Sequence, residues 1–282
     1  QGRGAVARGG GAWRGARRLA ALGLAAALAA LGTPGCEDDE PLPSRVFSRE
    51  VTRVVLEVDY AAGAEPSVAA EGEFDPWDVT RRNAEALFRA VEGKSVVVPS
   101  ALGDMQRLDD VPPGPYDRDA LRAVAERHRD RASSRRTFSY YVLWLPGIYR
   151  RGGRDRPEVL GVTLIEEGII ALFKPALDGA AGGLAGSAFG GLVEQMVLTH
   201  ELGHAVGLVD NGVEEFGDHH DDEHPTHCRN PDCVMYFGVE GAADLLQFLQ
   251  QSLASNGENL VLFDDDCLDD AAAAATRWVS FR

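Results

Sequence analysis

Lysine is almost missing from this chain of 282 residues: Lys94 and Lys174 are the only two, and every other basic residue is arginine. Basic residues are few in all, 28 against 44 acidic ones, for a formal net charge of −16. A surface of that sign repels phosphate backbones and argues against a nucleic-acid partner. No internal repeat is present. No Gly-Lys-Ser/Thr follows the glycine-rich stretch at 180–191, so it is not a phosphate loop. The run of Ala, Leu and Gly at 19–31 falls short of the about 20 apolar residues that a comfortable transmembrane helix needs. What is present is a 45% hydrophobic chain, enough to bury a real core in one or two domains.

Residues 1–35 read as an export leader. Arg3, Arg8, Arg14, Arg17 and Arg18 form a basic stretch without an acid, and 19–31 follows as its apolar segment. Thr33-Pro34-Gly35-Cys36 resembles a bacterial lipobox, with Cys36 as the lipidated residue; the alternative is an ordinary signal peptide cut nearby. Losing the leader would make the chain more acidic still, so membrane attachment would come from acyl chains and not from a basic patch. Residues 36–45 read as a solvated tether and 46–282 as the folded domain. The expected location is a bacterial cell envelope, lipid-anchored or secreted.

Within the domain, strand and helix patterns alternate. Strands are expected at 53–60, 94–99 and 138–145, with a hairpin made by 159–164 and 169–173 about Glu166-Glu167-Gly168. Helices are expected at 78–91, 117–131, 242–253 and 270–278, and loops at 61–75 and 105–115. The arginines between 118 and 156 read as solvated faces. This order predicts an α/β (α+β) fold: a twisted, mostly parallel sheet with one antiparallel edge strand.

The most informative stretch is His200-Glu201-Leu202-Gly203-His204-Ala205-Val206-Gly207. Leu192, Val193, Met196 and Val197 make an apolar stripe running into it, which predicts a helix. Glycines 190 and 191 are expected to precede that helix, and Gly207 to stop it with left-handed dihedrals. Histidines four apart share one helix face and can present nitrogens to one cation. Glu201 stands beside them as a candidate general base. The bland alternative is a buried helix with two satisfied core histidines.

Downstream comes a segment dense in acids and histidines, then His227-Cys228-Arg229-Asn230-Pro231-Asp232-Cys233-Val234-Met235-Tyr236. The helix motif, its glycine exit and the Val-Met-Tyr turn resemble a metzincin zinc peptidase over about residues 190–237. The His followed by Cys-x4-Cys-x-Met resembles the archaemetzincin branch, and matrixins have similar spacing from third His to Met. The resemblance implies zinc held by three ligands, with Met235 on a turn forming the floor beneath. It also implies hydrolysis of a peptide or protein substrate with Glu201 as base. An extended substrate would lie along an edge strand, expected at 169–173.

The third ligand is left open by the sequence. Asp210 stands where the family has its third His, and a carboxylate also binds zinc. His227 is favoured, because it precedes the Cys-x4-Cys-x-Met segment at the family's distance from Met235; His220 is a further candidate. An envelope location permits a Cys228–Cys233 disulfide and leaves Cys267 odd. Archaemetzincins hold a second, structural zinc on four cysteines. Here the terminal Cys-x-x-Cys is reduced to Cys267, which argues against that site. A rival reading is a zinc-binding envelope lipoprotein without turnover. The intact Glu201 favours the enzyme, since a purely structural site needs no base.

Overall fold

A computed structural model describes residues 42–69, 74–182, 187–256 and 260–280. Nine strands run in chain order: β1 Arg53–Ala61, β2 Ser95–Val97, β3 Gln106–Leu108, β4 Pro115–Tyr116, β5 Thr137–Leu145, β6 Ile148–Arg151, β7 Arg154–Arg156, β8 Gly161–Leu164 and β9 Ile169–Phe173. The main sheet has the order β2-β1-β5-β9-β8, with β3 also pairing β1. Every pairing in it is parallel except that of β8 with β9. The expected α/β architecture with one antiparallel edge strand is therefore the observed one. The edge is β8, however, and the 169–173 segment is internal, bonded on both sides by β5 and β8. That segment cannot itself offer an open edge.

Strands β1, β5 and β9 are buried on both faces, so apolar residues run on through β5 and β9, while β1 carries the buried Glu57 and Asp59 on its second face. The period of two still sorts them. Phe138, Tyr140, Val142 and Trp144 of β5 enter one core, while Tyr141, Leu143 and Leu145 enter the other. Helices α2 Trp77–Leu87 and α5 Ala188–Val206 cover the first face. Helix α3 Arg118–His128, capped by Asp117, covers the second through Leu121 and Val124. One buried acid lies between β1 and β5: the Tyr141 hydroxyl donates to Asp59 Oδ2 at 2.5 Å. Burial, helped by the charges of Glu57 and Asp130, pushes the Asp59 carboxyl up to about 6 against that bond.

Several expectations need correction. The single turn α1 Leu42–Arg45 belongs to the fold and not to a tether: Pro43 is buried, and Ser44 Oγ donates to Gly212 O at 2.8 Å. The loop at 105–115 contains β3 and runs into β4, which joins β6 and β7 in a small second sheet. The arginines of its β6–β7 hairpin face solvent as expected: Arg151, Arg154 and Arg156 are exposed. An unpredicted helix, α4 Lys174–Ala181, follows β9 directly. The C-terminal helices are longer than expected, α6 Ala242–Asn256 and α7 Asp265–Ser280. The leader and Cys36 lie outside the described residues. None of the described helices is long and apolar enough to cross a membrane.

Candidate metal centre

Helix α5 carries the site. Its N-terminus is capped by Ser187, whose Oγ accepts from Gly190 N at 3.3 Å. The glycines at 190 and 191, expected from sequence to precede the helix, lie inside it. A Cβ on Gly191 would sit 2.9 Å from Pro76 Cγ, so the missing side chain admits the start of α2. Glu194 anchors the middle: it accepts from Ser67 N at 2.7 Å and pairs with Lys174. Gly207 ends the helix in the left-handed region (φ 87°), and Leu208 N reaches back to Gly203 O at 3.1 Å.

His200 and His204 point the same way, with their Nε2 atoms 3.1 Å apart. His200 Nδ1 donates to Val234 O at 2.7 Å, which leaves Nε2 as a bare acceptor. His227 arrives from the long loop. Its ring stacks 5.3 Å from His200 and stands edge-on 4.9 Å from His204. His227 Nδ1 lies 3.2 Å from Pro225 O, so its Nε2 is the free lone pair. Facing that lone pair at 3.2 Å is Glu240 Oε1, from the 3-10 turn Phe237–Glu240. These four residues offer donor atoms all within 4.8 Å of one another. A lone pair opposite a carboxylate is repulsive unless a cation or proton lies between them. Three imidazoles and a carboxylate fit zinc.

Electrostatics follow the same geometry. Burial disfavours a charged imidazole and, with the neighbouring His200 and His227, holds His204 well below its usual pKa. Burial opposes charge on His200 too, but the Glu240 and Glu201 carboxylates outweigh it and raise its pKa. Glu240 is depressed far below the carboxylate range by those imidazoles, against its own desolvation.

Glu201 is buried on the flank of this cluster. Burial pushes its carboxyl up to about 7, against the pull of His200 and a bond from Thr163. Thr163 Oγ1 lies 2.7 Å from Glu201 Oε2. On the same strand, a Cβ at Gly161 would come within 2.8 Å of Glu201 Oε1. Edge strand β8 thus both holds the carboxylate and makes room for it, and no local pattern in the sequence announces either residue. Below the metal group, Met235 is fully buried against Gly203: a Cβ there would lie 2.2 Å from the Met235 sulfur. A cleft of about 830 Å³ opens over Glu201, His204, His227 and Glu240, walled by Arg118, Arg150 and Arg151 among others.

The other candidate ligands stand elsewhere. Asp210 is exposed, with φ 55°, and is outside the group. His220 bonds Glu215 at 3.0 Å on an exposed acidic turn, and His224 stacks on Phe237 at 3.6 Å. His219 is buried against Asp270, 3.0 Å away.

No family model matches the chain, and no curated protein does. Among solved structures, a similar chain is a zinc-dependent peptidase from Methanocorpusculum labreanum. It is 16% identical, with a TM-score of 0.43 over 77% of this chain and 99% of that one. A likeness that slight does not bear on the function of this chain.

The cysteines form a second group. Cys228, Cys233 and Cys267 are buried free thiols, so the Cys228–Cys233 disulfide is not formed. Cys267 is not left over either. The three sulfurs and the Asp264 carboxylate lie within 4.8 Å of one another, with Cys233 Sγ 3.6 Å from Cys267 Sγ. Backbone N–H groups point at the sulfurs: Met235 N to Cys233 at 3.4 Å and Asn230 N to Cys228 at 3.5 Å. Bonds from the Cys233 and Cys267 thiols hold Cys228 far below the ordinary thiol range. Asp264 stands three residues before Cys267, at the first position of the Cys-x-x-Cys that this chain lacks. Asn230 Nδ2 and Cys267 N fix its carboxylate at 2.8 and 3.0 Å. Three buried thiols and a half-buried carboxylate suit a structural tetrahedral metal.

Proposed function

We propose that the chain is a zinc-dependent endopeptidase whose ion is held by His200, His204 and His227, with Glu201 as general base. The observation that carries the reading is the convergence of three bare imidazole nitrogens beside a buried glutamate that is held by its own threonine. Zinc there would polarise a scissile carbonyl and make water a nucleophile at neutral pH. Glu201 takes the water's proton on Oε1, while Thr163 keeps Oε2 in place, and then delivers it to the leaving amine. The substrate is a peptide or protein segment in extended form. Strand β8 ends the sheet beside Glu201, and a chain can add to it there. The methionine floor and the glycine exit fit the metzincin resemblance. The Cys228–Cys233–Cys267–Asp264 group takes a second, structural zinc in this reading. Anchoring through acylated Cys36 in a bacterial envelope belongs to the same proposal.

A peptide-library digest with and without chelator, followed by zinc restoration, tests the reading. Glu201→Gln should keep its zinc and lose about 10²–10⁴-fold in rate, the usual contribution of a general base. Hydrolysis by that variant at the wild-type rate would falsify the mechanism.

A further inference from the structure

Glu240 has no part in the mechanism above, yet its carboxylate belongs to the same group of donor atoms. Its Oε1 is 3.2 Å from His227 Nε2 and 3.8 Å from His200 Nε2. A carboxylate that merely orients a ligating histidine bonds the nitrogen turned away from the metal. Here those positions are already filled, by Val234 O for His200 and Pro225 O for His227. Glu240 is therefore on the metal side of both rings. Ligands at about 2.0–2.2 Å from a tetrahedral zinc lie about 3.3–3.6 Å from one another, within about 0.4 Å of the 3.2 Å between Glu240 and His227. The His200–His204 spacing of 3.1 Å is of the same order.

We propose that Glu240 is a fourth protein ligand, which closes the metal in the resting chain and must swing away before a peptide can bind. This rests on the peptidase reading for its purpose but not for its geometry. A catalytic zinc keeps one position open, whereas a site with four protein ligands is closed. The means of opening is local. Glu240 is the last residue of its turn, and its side chain is 56% exposed on the cleft wall. The turn itself is held by the stacking of Phe237 on His224, so a rotation of one side chain suffices. An incoming carbonyl would displace the Glu240 oxygen as it takes the vacated position.

Two measurements on the full chain test this. The first is zinc affinity, by competition with a chromogenic chelator, for wild type, Glu240→Gln and Glu240→Ala. Loss of a ligand should weaken binding by at least the about 10–100-fold that supporting residues account for. The second is acetohydroxamate affinity, read from the visible spectrum of the cobalt-substituted proteins. Hydroxamate should bind more tightly to both variants than to wild type, because no carboxylate has to be displaced. Unchanged zinc affinity together with unchanged hydroxamate affinity overturns the proposal. Weakened zinc binding with hydroxamate no tighter also overturns it, since Glu240 would then support the site without blocking it. The side chain is largely exposed, so neither variant threatens folding. If the proposal holds while chelator-sensitive hydrolysis is absent in every variant, the peptidase reading fails alone. If hydrolysis is present and Glu240 proves indifferent, only the gate fails.

Discussion

Replacing Gly203 by alanine tests whether the methionine floor and the metal helix are packed as tightly as the geometry requires. In an exposed helix the change should help, since alanine is favoured over glycine by about 1 kcal/mol. At Gly203 the new Cβ would lie 2.2 Å from Met235 Sδ and 3.1 Å from Phe263 Cε1. Carbon and sulfur need about 3.5–4.0 Å, so the thioether must retreat by more than an ångström. Met235 is fully buried, and its backbone is held by Cys228 N at one end and the Cys233 sulfur at the other. Overpacking of this kind costs about 1–3 kcal/mol. Against the propensity gain, the variant should lose up to about 2 kcal/mol, or up to about 8 °C in Tm for a domain of this size. Zinc affinity should fall too, because Val234, next to Met235, fixes the His200 ring. Gly179 is the control: it is exposed in α4 with nothing near its missing Cβ, and Gly179→Ala should stabilise by about 1 kcal/mol. Urea denaturation of both variants and of Gly203→Ala/Met235→Ala, which should recover part of the loss, measures the coupling. A Gly203→Ala protein as stabilised as the control would refute the packing.

Three further outcomes are expected. Zinc titration should show a sharp loss of affinity in His227→Ala and none in Asp210→Ala, whose side chain faces solvent; the reverse result would return the third ligand to Asp210. Elemental analysis of Asp264→Ala should show one metal fewer than wild type and a lower Tm, while His200, His204 and His227 still hold theirs; an unchanged metal content would remove the structural ion. For Asp59, a folded pKa of about 6 against 3.8 unfolded means that folding takes up a proton, so its contribution to stability is present below about pH 4 and fades as pH rises to about 6. The change is about 3 kcal/mol, and Asp59→Asn should abolish that part of the pH slope in chemical denaturation; equal slopes in the two proteins would refute the assignment.

Local spacing alone determined much of this protein. The β-branched and aromatic runs of β1, β5 and β9 announced strands, and their alternation with helical patterns announced a mostly parallel sheet, because a parallel crossover needs a helix. The four-residue interval from His200 to His204 placed both rings on one helix face, and Gly207 marked the stop, since both follow from backbone geometry within a few turns. The start of the same helix was misread, because glycine is a poor helix former and only Pro76, far off in the chain, shows why Gly191 is there. Everything that joins distant segments was decided by the tertiary structure. His227 rather than Asp210 meets the pair because the intervening loop folds back, and loop length puts little restriction on where its end lands. Thr163 and Gly161 serve Glu201 only because β8 crosses beside α5. Asp264 completes the cysteine group, and Glu240 faces the histidines, through contacts that no periodicity records. Sequence patterns report which face of an element is buried; which remote side chain it is buried against is a property of the packed molecule.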